Sequence, residues 1–79
     1  MSTAEIFEII ARHALEVLPA LQHHHFKQSD SLRELGANSI DRADIIIMTL
    51  ESLGLSIPLT AMAKAQNMGE LANIIHEKS

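Results

Sequence analysis

The chain is 79 residues long with no cysteine and a formal net charge of -4, its six Lys and Arg side chains outnumbered by ten Asp and Glu. That length allows one small domain, burying only about 60% of the surface its unfolded chain would expose, and the missing cysteines exclude a disulfide framework or a thiolate metal site. The charge balance argues against a nucleic-acid groove, which needs clustered cations to displace counterions, and no apolar run is long enough to span a bilayer, so a cytoplasmic protein with protein partners is expected.

Ser2-Thr3-Ala4-Glu5 has the spacing of a capping box, in which Ser2 accepts from an orphan amide and Glu5 reaches back to the cap. A first helix is expected from there, with Ile6, Ile9, Ile10, Ala14 and Val17 at helical spacing, ending near Leu18 because Pro19 cannot continue the ladder. His13 falls on the same stripe and is expected to be a packing residue, with no acidic group placed to orient its ring. From Ala20 to Asn38 the period is lost, and Leu21, Phe26, Leu32 and Leu35 are the expected anchors of a long loop, a feature often functional in compact domains. His23-His24-His25 is expected to be an exposed polar stretch, since three successive residues cannot aim their rings at one metal centre. Ser31-Leu32-Arg33-Glu34 repeats the cap spacing, and Gly36 can close such a turn with a positive phi.

A second helix is expected from about Ser39 to Leu53, stopped by Gly54. At helical spacing Ala43, Ile46, Ile47, Leu50 and Leu53 form its expected core face. Asp41, Asp44, Ile45, Met48 and Ser52 then share the opposite face, on which Ile45 and Met48 supply contact area for a partner and Asp41 and Asp44 supply orientation. Beyond it, Pro58 holds Ile57 extended, a short helix is expected between about Leu59 and Ala65, and Asn67-Met68-Gly69-Glu70 caps a last helix with Leu71, Ile74 and Ile75 inward. Residues 76 to 79 are expected to fray. The fold expected is an all-α single domain over residues 1–79: a four-helix bundle of three main helices and one short one, with a long first loop.

Ser39 is the residue with a chemical role to assign. Taken alone, a serine at a helix start reads as an N-cap. A hydrolase would need a positioned base and an oxyanion hole, and no histidine lies near Ser39 in sequence. Gly36 does not belong to a nucleotide-type glycine loop, which needs further glycines and a Lys. The window Leu35-Gly36-Ala37-Asn38-Ser39-Ile40-Asp41, followed by an apolar helix and Ile57-Pro58, resembles the attachment motif of acyl carrier proteins, usually Leu-Gly-x-Asp-Ser-Leu/Ile. The resemblance covers nearly the whole chain. It implies a carrier rather than an enzyme, with 4'-phosphopantetheine taken from coenzyme A onto Ser39 by a separate magnesium-dependent phosphopantetheinyl transferase. Acyl groups would ride on that arm as thioesters, sheltered among Ile40, Ala43, Ile57 and Met62.

The resemblance also implies a partner surface around the serine, comprising Asn38, Ile40, Asp41, Arg42, Asp44, Ile45 and Met48, read by the transferase, an acyl-loading enzyme and a ketosynthase. The family usually has Asp where this chain has Asn38, which removes a negative charge used in transferase recognition, and Arg42 further dilutes the acidic character of the helix. Leu15 to Pro19 looks like carriers of polyketide assembly lines, and a chain beginning with its own Met resembles a discrete, monomeric carrier acting in trans. Ala37 to Arg42 looks like the donor carriers of beta-branching cassettes, which present acetyl groups to a hydroxymethylglutaryl-type synthase. Acceptor carriers there often have Trp at the place of Ile45. Two alternatives stay open: an aminoacyl or peptidyl carrier, and a carrier-shaped helical interaction module that takes no cofactor.

Overall fold

A computed structural model describes all 79 residues, Met1–Ser79. Three α-helices make the bundle: α1 (Thr3–Val17), α2 (Ser39–Leu53) and α3 (Met68–Lys78). One-turn 3-10 helices follow α1 (Pro19–Leu21) and precede α3 (Leu59–Met62). The last is the expected short helix, stopped at Met62 rather than Ala65. Helix α3 stays regular through Lys78, where fraying was expected, and the Ser79 amide still donates to the His76 carbonyl at 3.3 Å. No helix is long and apolar enough to cross a membrane.

The helix ends follow from their caps. Ser2 and Glu5 make the reciprocal box at α1, with the Ser2 amide donating to Glu5 Oε1 at 3.0 Å and the Glu5 amide to Ser2 Oγ at 3.2 Å. Helix α2 ends at Gly54, where the Leu55 amide donates to the Leu50 carbonyl at 2.9 Å and so satisfies one of the last free acceptors. Packed between the helices are Ile6, Ile10 and Ala14 of α1, Ile45 and Leu50 of α2, and Met68, Leu71, Ala72 and Ile75 of α3, with Leu32, Ala37 and Met62 from the connections.

The long loop is fastened to α3 at its middle. Its carbonyls of Gln28 and Asp30 accept the amides of Gly69 and Met68 at 2.9 Å each, supplying acceptors to the first turn of α3. A Cβ on residue 69 would lie 3.0 Å from Gln28 Cβ and 3.1 Å from its carbonyl oxygen, so a side chain there would press the loop outward. Within the loop His24 Nε2 meets Asp30 Oδ2 at 2.8 Å, the Lys27 amide donates to the same oxygen at 2.8 Å, and the His24 ring lies edge-on to Phe26.

Two carboxyls are held below their usual range: Asp30 by the His24 hydrogen bond and then the Lys27 amide, and Glu5 by its backbone and side-chain bonds from Ser2. A depressed folded pKa contributes stability that is complete above the unfolded value, about 4, and is lost as pH falls through the lower folded value. For these two groups the melting temperature is therefore expected to be insensitive to pH above about 5 and to drop below about 4. Melts of Asp30→Asn across that window should show a shallower drop than the parent; an equal slope would assign acid sensitivity elsewhere.

Candidate functional site

The turn before α2 is built by local hydrogen bonds. The amides of Leu35, Gly36 and Ala37 donate to the carbonyls of Ser31, Arg33 and Leu32 at 3.0, 3.1 and 3.0 Å, and the Glu34 amide donates to Ser31 Oγ at 3.3 Å. Gly36 has a phi of 110°, in the left-handed region that a side chain disfavours. Ala37 is then buried, and the chain emerges at Asn38 and Ser39 on the surface.

Asn38, not Ser39, is the N-cap of α2. The Asp41 amide donates to Asn38 Oδ1 at 2.8 Å and the Asn38 amide to Asp41 Oδ2 at 3.2 Å, a complete capping box. Ser39 is the first helical residue and is exposed. With its neighbour capping the helix, its hydroxyl is not needed as a cap. The first-turn amides of Ser39 and Ile40 are of the kind that find no acceptor inside a helix, and together with the helix dipole they favour an anion at this end. The residues present thus fit a phosphodiester at Ser39. Carboxamide and carboxylate cap equally well, so Asn38 keeps the local structure that Asp would give.

The faces of α2 differ from the expected ones. Ile45 is 0% exposed and Thr49 is 0% exposed, while Ile47, expected in the core, is 43% exposed. The buried face is turned by roughly 70° about the helix axis from the one expected. Thr49 makes this possible: its hydroxyl donates to the Ile45 carbonyl at 2.8 Å, so a residue that reads as polar is satisfied inside. Ile45 is therefore not a partner contact. The outward stripe is Ile40, 70% exposed, with Asp44, Ile47 and Glu51. Met48 and Asp41 are half-buried beside it.

Arg42 is half-buried and its Nη1 donates to the Ala37 carbonyl at 2.8 Å. It lines an open cleft of roughly 610 Å³, between α2, the Ser31–Glu34 turn and the Leu59–Met62 turn, with Ile46, Leu59, Met62 and Leu71 as apolar walls. Of the expected shelter residues only Met62 lines this cleft. Ile40 is exposed on another face of α2.

His13 is buried but has polar partners: its Nδ1 bonds the Glu16 carboxylate, and its Nε2 lies 2.7 Å from Ser52 Oγ of α2. The expectation of an unoriented ring is corrected, because Glu16 lies one turn further along α1. Ser52, expected outward, is exposed, and its hydroxyl also reaches the His13 ring of α1. The order of groups resembles a nucleophile, a base and an orienting carboxylate. Ser52, however, sits in the last turn of α2, where the free backbone groups are carbonyls rather than the amides an oxyanion hole requires. The cluster fastens α1 to α2. His23, His24 and His25 belong to no group of three side chains placed to share a metal ion.

The family model described as "Phosphopantetheine attachment site" matches residues 8–75. A polyketide biosynthesis acyl carrier protein, AcpK of Bacillus subtilis strain 168, is 46% identical over 78 residues, covering 99% of this chain and 95% of that protein. Among solved structures, the acetyl donor carrier crystallised with the HMG synthase of the curacin biosynthetic pathway superimposes with a TM-score of 0.95 at 40% identity, covering 99% of this chain and all of its own.

Proposed function

The chain belongs to the phosphopantetheine-attachment family of carrier proteins, and from that premise we propose that it is a polyketide acyl carrier whose Ser39 receives 4'-phosphopantetheine. The observation that carries the assignment of the residue is the division of labour at α2: Asn38 and Asp41 complete the capping box, leaving the exposed Ser39 hydroxyl at the positive end of the helix. In the attachment step Ser39 Oγ forms a bond to phosphorus, the pyrophosphate of coenzyme A is split, the adenosine bisphosphate half departs, and the serine proton passes to a base of the transferase. Once bound, the group supplies a flexible arm ending in a thiol that carries acyl groups as thioesters. The chain's own residues supply position and address. Ile40, Asp44, Ile47 and Glu51 form the stripe on α2 beside Ser39 that meets the transferase, the acyl-loading enzyme and the enzyme that takes the cargo.

The partner favoured for delivery is a hydroxymethylglutaryl-type synthase, with this chain as acetyl donor. Supporting it are the near-superposition on a carrier of that kind and the presence of Ile45 where acceptor carriers often have Trp; here Ile45 is locked in the core. Incubation of the acetyl-loaded protein with such a synthase is expected to move the acetyl group to the enzyme and leave the free-thiol carrier, read by intact mass. An acetyl group that stays on the carrier, while a ketosynthase discharges it, would assign the chain to chain elongation instead.

A further inference from the structure

We propose that Arg42 is the positioning residue of the attachment site, holding the turn that precedes Ser39 and pairing its guanidinium with the phosphodiester attached there. The inference rests on the assignment of Ser39 above. Three observations carry it. Ser39, Arg42 and Ile46 stand at i, i+3 and i+7, so they file along one face of α2, the face on which Arg42 and Ile46 line the cleft. Helical side chains lean toward the N-terminus, and Arg42 does so, its Nη1 reaching back to the Ala37 carbonyl. That bond uses one of five guanidinium donors. The chain's ion pairs are His13–Glu16 and His24–Asp30, and Glu34, on the same cleft, does not pair with Arg42. A half-buried arginine held only by a neutral carbonyl, one turn from an anion-accepting serine, has its charge free for that anion.

The test compares melting temperatures of the protein before and after modification, in wild type, Arg42→Lys and Arg42→Gln, with modification verified by intact mass. Gln keeps a donor for the Ala37 carbonyl but no charge; Lys keeps the charge. Attachment is expected to raise the wild-type melting temperature by about 2–4 °C at low salt, with most of the rise lost in Arg42→Gln, part retained in Arg42→Lys, and the wild-type rise shrinking as salt is added. A purely structural arginine would lower both forms of each variant equally, and equal rises in wild type and Arg42→Gln would overturn the proposal. Should Arg42→Gln fail to fold, a wild-type rise indifferent to salt would overturn it as well. No mass gain on wild type would instead overturn the Ser39 assignment, and this role with it.

Discussion

Ile45→Glu is expected to unfold the protein, whereas Ile47→Glu, two residues away, should leave its melting temperature nearly unchanged. Ile45 has no exposed surface and packs with Ile6, Ile10, Met68 and Ile75 in the single core. Glutamate there would place an unpaired charge among apolar side chains, and uncompensated buried charge costs about 3–5 kcal/mol. A domain's whole stability is only about 5–15 kcal/mol, and a chain this short sits low in that range. At the 43% exposed Ile47 the same carboxylate stays in water, where substitutions usually change stability by less than about 0.5 kcal/mol. The effect at Ile47 belongs to association: it adds a charge to the stripe with Ile40 and Asp44 and should weaken partner binding. Circular dichroism melts of the two variants decide the matter; a folded Ile45→Glu or an unfolded Ile47→Glu would contradict the face assignment.

That pair of isoleucines also shows where the sequence was legible. The caps at Ser2 and Asn67, the stops at Pro19 and Gly54, and the span of α2 follow from local chemistry, and local chemistry is what a sequence displays. The orientation of α2 does not. Three consecutive isoleucines, Ile45 to Ile47, offer apolar contact over most of the helix circumference, so the moment of the sequence is set by the neighbours. Thr49 is a polar residue type, yet its hydroxyl is satisfied by the Ile45 carbonyl within its own helix. The spacing of Ile45, Ile46, Thr49, Leu50 and Leu53 gives the observed stripe once Thr49 is admitted to the core. His13 is a different case: Glu16 was within reach by spacing, but Ser52 is 39 residues away, and only the packing of α1 on α2 brings it to the ring. At the proposed site, the motif singles out Ser39, which the structure places exposed in the first turn of α2. That Asn38 would free it from capping follows from the carboxamide bonding to Asp41, a geometric fact.

Ser39→Ala is expected to abolish modification completely while preserving the fold. The substitution removes an exposed hydroxyl that neither caps the helix nor contributes to the core, and alanine is at least as good a helix former. Asn38 and Asp41 still close the first turn, so melting temperature and helical signal should match the parent. Loss of the acceptor oxygen leaves no atom for phosphorus to bond at that position, so the expected loss is total, with no residual rate. This separates the carrier from a carrier-shaped interaction module, whose partner binding would be indifferent to the change.

Intact-mass analysis after incubation with coenzyme A and a broad-specificity phosphopantetheinyl transferase is the most direct measurement. The wild-type chain should gain one phosphopantetheine, mapped to Ser39, and Ser39→Ala should gain none. A wild-type chain left unmodified by several transferases, or an equal gain on Ser39→Ala, would contradict the assignment.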